Sequence, residues 1–173
     1  MVRIKLPYGR ITTKQLVHIA NLSDEFASST LHATTRQDIQ IHYVSLDRTP
    51  ELWAKLEKEK ITVREACGNT VRNVTGSAKA GIDPNEPFDI TPYAQATFEY
   101  FLRNPICQEM GRKFKISFSS SDEDSAFSFI HDIGFIAKVK QVNGKEVRGF
   151  KVVVGGGLGA QPMLAQVAYD VME

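Results

Sequence analysis

Asn143-Gly144 sits between two runs that alternate apolar and polar residues, "IGFIAKVKQ" before it and "VRGFKVVVG" after it. Two residues of this type need left-handed backbone, which asparagine and glycine tolerate, and the tight turn they make forces the flanking strands antiparallel. That excludes a sheet in which every strand is parallel. Helical stretches lie elsewhere in the chain, so the fold class is α+β rather than a doubly wound parallel sheet.

The helices and strands follow in order. "VRIKL" at 2–6 alternates as a short strand. "TTKQLVHIANLSDEF" carries Thr12 and Gln15 at capping-box spacing. Residues 30–44 give a strand or two. "TPELWAKLEKEK" and "TPYAQATFEYFLRN" each begin Thr-Pro, with Thr49 read as the cap of the first and Thr91 starting the second in the same way. Between them lies "EACGNTVRNVTGSAKAGIDPNEPFD", which has no period and is long for a connection, a property of segments that carry function. "RKFKISFSS" precedes the hairpin as another strand, and "GGGLGAQPMLAQVAYDVME" closes the sequence.

Composition narrows the function classes. With 21 Lys and Arg against 20 Asp and Glu, the net charge of +1 gives no general affinity for nucleic acid or an acidic membrane. Any anion site has to be local. No apolar run of signal or membrane-spanning type is present, so a cytoplasmic setting is expected. Two cysteines, Cys67 and Cys107, are too few for a disulfide framework or a CxxC site, and no His/Cys/Glu set has zinc spacing.

Four stretches carry candidate chemistry. Read as one strand, "HATTRQDIQIHYV" places Thr34, Arg36, Asp38, Gln40 and His42 on one face, a mixture of donors suited to carboxylates unless the face is merely solvated. In "GRKFKIS", Lys113 and Lys115 share a strand face at about 7 Å spacing, where they repel unless an anion lies between them. Lysines guarding a sheet edge are the bland alternative. In "NTVRNVTG", Arg72 lies between Asn69 and Asn73 in a glycine-bounded loop. In "VVVGGGLGA", a strand enters glycines at GxGxxA spacing, which imitates a dinucleotide fingerprint. Pro162 and the short stretch after Ala160 oppose that reading, and glycines that let backbone approach a bulky ligand suit the stretch as well. His18 and His131 are read as structural. If Arg36, Arg72, Lys113 and Lys115 converge, they form a pocket for a multiply charged anion.

In this order, "KLPYGRITTKQL", "TTRQDIQIHYV", "ACGNTVRNVTG", "GRKFKISFSS", "HDIGFIA" and "GFKVVVGGGLG" resemble the sulfite and nitrite reductases that use sirohaem and an iron-sulfur cluster. The resemblance runs from about residue 2 to 161. It implies a ferredoxin-like half-module over residues 1–60, then a first sirohaem/4Fe-4S reductase domain over 61–173 that is truncated at its C-terminus. It implies six-electron reduction of sulfite to sulfide or of nitrite to ammonia, with a ferredoxin or flavoprotein as donor. Arg36, Gln40 and His42 would contact sirohaem, as would Asn73 and Gly155, Gly156 and Gly157. Arg3, Arg72, Lys113 and Lys115 would surround the open axial position of the iron and bind the oxyanion. The family's cluster cysteines, in a CxxxxxC…CxxxC pattern, are absent here, so the chain alone is expected to be inactive without the missing C-terminal half. Two rival readings are a non-catalytic tetrapyrrole or oxyanion module and a nucleotide-binding domain using GGGLGA.

Overall fold

The computed structural model describes residues 1–173, and the chain builds two sheets one after the other. In the first, β1 (Val2–Ile4) and β2 (Leu31–Ala33) both pair antiparallel with β3 (Ile39–Ile41). Two helices, α1 (Thr13–Phe26) and α2 (Thr49–Lys58), bury their apolar stripes on this sheet. Ile19, Leu22 and Phe26 of α1 and Leu52 and Leu56 of α2 close on Ile4 and Ile41. The capping box of α1 forms as expected: Gln15 N donates to Thr12 Oγ1 at 3.2 Å and Thr12 N to Gln15 Oε1 at 3.0 Å.

The second sheet has the order β4-β5-β6-β7-β8, with β4 (Thr75–Gly76), β5 (Ile116–Ser119), β6 (Ile133–Val142), β7 (Lys145–Val154) and β8 (Gln166–Met172). β4, β5 and β6 run parallel, and β6, β7 and β8 antiparallel. The Asn143-Gly144 hairpin forms, with φ of 51° and 76° at its two turn residues and β6 paired with β7 along its length. Helix α3 (Thr91–Phe101) packs Ala94 and Phe98 into the core of this sheet. Phe118 stacks on Phe135 at 4.7 Å, and Phe150 meets both rings edge-on. The α+β class therefore holds. No helix is long and apolar enough to cross a membrane.

Four local expectations are corrected. Residues 32–44 are not one strand: Thr34 Oγ1 donates to Asp38 at 2.7 Å and Thr34 N to Asp38 O at 2.9 Å, closing a turn between β2 and β3. Arg36 lies in that turn and not on a strand face. Thr49 and Thr91 are already helical, and the cap positions fall to Arg48 and Ile90, because the threonine hydroxyls turn back to Ser45 O and Asp89. Lys113 is left-handed at φ 61°, so the strand begins only at Ile116 and the two lysines do not share a strand face. The glycines 155–157 lead to β8 rather than to a helix N-terminus, which removes the phosphate cradle that a dinucleotide would need.

The two sheets are stitched together through polar side chains. Asn73 Nδ2 donates to Leu6 O at 2.7 Å and to Arg36 O at 3.0 Å, with Gln37 O at 3.2 Å. The Gln37 amide pairs with the backbone of Gly76, donating to its O at 2.6 Å and accepting from its N at 2.9 Å. The β2–β3 turn is thus held against β4, and it carries Arg36 to the junction.

Candidate functional site

Arg36 is the centre of the junction. Its Nη1 donates to His131 Nε2 at 2.8 Å and its Nη2 to Asn73 O, while its buried Nε has no partner. Burial pulls this guanidinium down to about 10; Asp38 and Asp132 oppose the shift, and Arg72 and Arg3 add to it. Charges from four separate segments therefore act on one side chain.

Arg3 reaches the site from β1. It is the register partner of Gln40; with the Gln40 amide turned to the orientation that satisfies both its atoms, the oxygen accepts from Arg3 Nη2 at 2.8 Å and Nε at 3.1 Å. The amide nitrogen of Gln40 then donates to His42 Nε2, which also lies 3.3 Å from His32 Nδ1. Arg3, Gln40, His32 and His42 form one row across the first sheet. Gln40 and His42 share a face as the sequence suggests, but Arg36 leaves it at the turn. Asp38 stays in reach of Arg3 at 3.8 Å.

Arg72 arrives from the loop before β4. Its Nη1 donates to Ala66 O at 3.0 Å, and its buried Nε is unpartnered. Lys5 lies beside it, 3% exposed, donating to Val71 O at 3.0 Å with Glu65 at 3.7 Å. Burial brings this ammonium down to about 8 against the opposing pull of Glu65, and Arg72 pushes it further down. Sequence reading missed Lys5. The signal was its position two residues after Arg3 in "VRIKL".

Lys115 is claimed by the segment before β6: its ammonium pairs with Asp132 and donates to Lys113 O, and its N–H donates to Asp132 at 2.8 Å. Lys113 itself is exposed and has no side-chain partner. The structure thus joins Arg3, Arg36 and Arg72 through mutual electrostatics and ties Lys115 to the same segment as His131. It assigns no contact to Lys113.

The glycines line the other side of that segment. Gly155 N donates to Asp132 O and Gly156 N to His131 O, both at 3.0 Å. A Cβ on Gly156 would stand 2.4 Å from Phe129 O, so only glycine allows this approach. Gly155 and Gly157 face open space. Asn73 is buried, with its Oδ1 unpartnered. All four buried side-chain polar atoms that lack a hydrogen bond, on Arg36, Glu65, Arg72 and Asn73, belong to this junction or border it. A cleft of about 630 Å³ lies against the β2–β3 turn, lined by Tyr8, Gln37 and Ser77 among others, and Arg36 does not line it.

Chemically, the junction is an excess of buried or half-buried cations over Asp38, Glu65 and Asp132, with donors that have no acceptor. Such a set stabilises added negative charge. No three His, Cys, Asp or Glu side chains are gathered where they could hold a metal ion.

Comparison with known proteins finds matches over most of the chain. Residues 1–59 match the family model for the nitrite/sulfite reductase ferredoxin-like half domain, and residues 67–172 that for the nitrite and sulphite reductase 4Fe-4S domain. An assimilatory ferredoxin-dependent nitrite reductase of Haloferax mediterranei is 37% identical over 147 residues, which cover 85% of this chain and 25% of that protein. A sulfite reductase [ferredoxin] of Mycobacterium tuberculosis is 32% identical over 96% of this chain and 29% of its own length. Among solved structures, the Mycobacterium tuberculosis NirA protein superposes with a TM-score of 0.86 over 95% of this chain and 29% of that one, at 32% identity. A dissimilatory sulfite reductase I, at 10% identity and a TM-score of 0.77, shares the fold. The chain spans less than a third of the length of these first two curated relatives.

Proposed function

The chain belongs to the nitrite and sulphite reductase family, and on that premise we propose that it supplies the cationic side of a sirohaem site for the six-electron reduction of sulfite or nitrite. The observation that carries this reading is the set of cations focused on Arg36, together with buried N–H donors on Arg36 and Arg72 that no protein acceptor uses. The residues suit a group ringed by carboxylates. Arg36 and Arg72 have Nε–H to offer, the row of Arg3, Gln40 and His42 presents further donors, and Gly155 and Gly157 leave space for a flat macrocycle. Asn73, by contrast, spends its amide hydrogens on the protein itself and serves the site by fixing the β2–β3 turn.

Bound there, sirohaem would supply the iron at which electrons reach the substrate. The chain's own residues do the rest. Arg3 and Arg72 hold the charge that builds on the oxyanion, as preorganised cations do in a water-poor site, and the exposed ammonium of Lys113 helps draw it in. Lys115, held by Asp132, is placed to give a proton as oxygen leaves as water and to recover it from solvent. The two cysteines, exposed Cys67 and buried Cys107, cannot provide four thiolates. We therefore assign the ligands of the 4Fe-4S cluster to polypeptide outside this sequence, and the electron donor to a ferredoxin, the donor for which the Haloferax and Mycobacterium enzymes are named. We further propose a reducing, cytoplasmic setting.

Adding sirohaem to the purified chain and following the Soret band tests the reading. The band should shift on binding, and Arg72→Ala and Arg3→Ala should each weaken binding roughly tenfold, the scale of one charge-assisted hydrogen bond. A spectrum identical to free sirohaem would sink the proposal.

A further inference from the structure

His131 has no part in the chemistry above, yet its surroundings give it one. The ring is buried, 7% exposed, beneath the glycine loop. Nδ1 lies 2.7 Å from Phe127 O, which can only accept, so Nδ1 carries the proton. Nε2 is then a lone pair, and it takes Arg36 Nη1 at 2.8 Å, with Thr75 Oγ1 at 3.4 Å. A proton on Nε2 would set N–H against N–H at that contact.

The ring is braced from both sides. Phe127 stands in a left-handed turn at φ 55°, clamped by Asp124, which accepts from Ser119 Oγ at 2.6 Å, Ser128 N at 2.7 Å and Phe129 N at 3.4 Å. On the other side Gly156 N donates to His131 O at 3.0 Å, and the Gly156 backbone sits too close for any side chain. The imidazole is a fixed stop for the guanidinium. Of the three nitrogens of Arg36, His131 holds one and Asn73 O another. Only Nε is left over.

We propose that His131 is a positioning residue for the anion site: its neutral Nε2, together with Asn73 O, holds the Arg36 guanidinium in the one orientation that keeps Nε–H as the donor for a carboxylate ligand. This deepens the sirohaem reading and rests on it. The charges around His131 set its working range. Burial is the main effect that disfavours a second proton, helped by Arg36 from the β2–β3 turn and Lys115 from the segment before β5, while the bond to Phe127 O and the charge of Asp124 favour it and Asp132 adjoins it in sequence. The ring is therefore neutral at pH 7, and acidification below the ordinary histidine range releases Arg36.

Three proteins decide it: wild type, His131→Leu and His131→Gln, whose amide oxygen can stand where Nε2 does. Sirohaem is titrated into each at pH 7.5 and pH 5.5 and followed at the Soret band. His131→Leu should bind roughly tenfold more weakly at pH 7.5, with His131→Gln close to wild type. Wild type should lose more affinity at the lower pH than His131→Gln does, since both share the titration of the ligand itself. Equal binding by wild type and His131→Leu, or the same pH loss in all three, overturns the proposal. The ligand-free chain gives an independent readout by nitrogen NMR: His131 protonated on Nδ1 alone, and an Arg36 Nε–H signal present in wild type and His131→Gln but lost in His131→Leu. Should no protein bind sirohaem, the site reading fails by itself, and the NMR still decides: an unchanged Arg36 signal in His131→Leu, or an Nε2–H tautomer, overturns the positioning role.

Discussion

Lys5 illustrates what a single buried charge does to this molecule. Its ammonium titrates at about 8 in the folded chain against 10.5 in the open. Between those two values the unfolded chain holds more protons than the folded one, so stability rises as pH increases through that window. Below about pH 8 both states are charged and the burial penalty, on the order of 3 kcal/mol, is present in full. Urea midpoints should therefore climb from pH 8 toward pH 10, and Lys5→Met should flatten that climb; an identical slope in the variant would refute the assignment. Lys5 and His131 were the two site residues that the sequence hid. Lys5 gains its environment from Val71, 66 residues away, and His131 from Arg36, 95 residues away. Gln40 and His42 were easier to read, because local alternation alone places them on one face, whereas Arg3 was reached only through the family resemblance.

At the scale of elements, period-two reasoning failed where side chains offered the backbone a competing partner. "TTRQD" has the composition of a strand face, yet Thr34 and Asp38 bond each other and fold it into a turn. The same turn is then pinned to the second sheet by Asn73. Asn73→Ala should cost about 2–3 kcal/mol in urea unfolding, since several buried carbonyls lose their donor at once. Asn73→Asp has the same shape but turns acceptors toward those carbonyls, so it should be at least as destabilising. An Asn73→Asp protein as stable as wild type would show that the staple is unimportant. The strand-to-glycine segment behaves in the opposite way, with its packing set by the absence of a side chain at Gly156. Gly156→Ala brings a methyl group within 2.4 Å of Phe129 O, and a backbone atom cannot swing aside as a side-chain tip can. The loop must shift, with a loss of about 1–3 kcal/mol in thermal or urea unfolding and weaker sirohaem binding. The Asn143-Gly144 hairpin was legible in full, because its turn chemistry and its alternation point to one answer.

For the whole molecule, the second sheet ends unevenly. Its β4 edge is only Thr75–Gly76, whereas β8 runs Gln166–Met172 and stands open along its outer side. Val167, Tyr169 and Met172 on that strand are exposed, and so are Leu158, Met163 and Leu164 in the loop that leads to it. Asp170 is the strand's single charge, and it has neither lysine nor proline, the usual guards of an open edge. An edge of that length with free N–H and C=O groups and an apolar surround is a template for another strand. In isolation, the chain should therefore self-associate as its concentration rises, the β8 edge of one copy meeting that of the next. Sedimentation velocity over a broad concentration range reads this directly. Wild type should move to heavier species, while Tyr169→Lys combined with Val167→Lys should remain monomeric, because two ammonium groups on the edge repel their counterparts. Both substitutions fall on exposed side chains, so unfolding midpoints should stay within about 0.5 kcal/mol of wild type. A wild-type chain that sediments as a monomer at every concentration would mean that the edge is self-protecting. Association that survives both lysines would place the contact elsewhere.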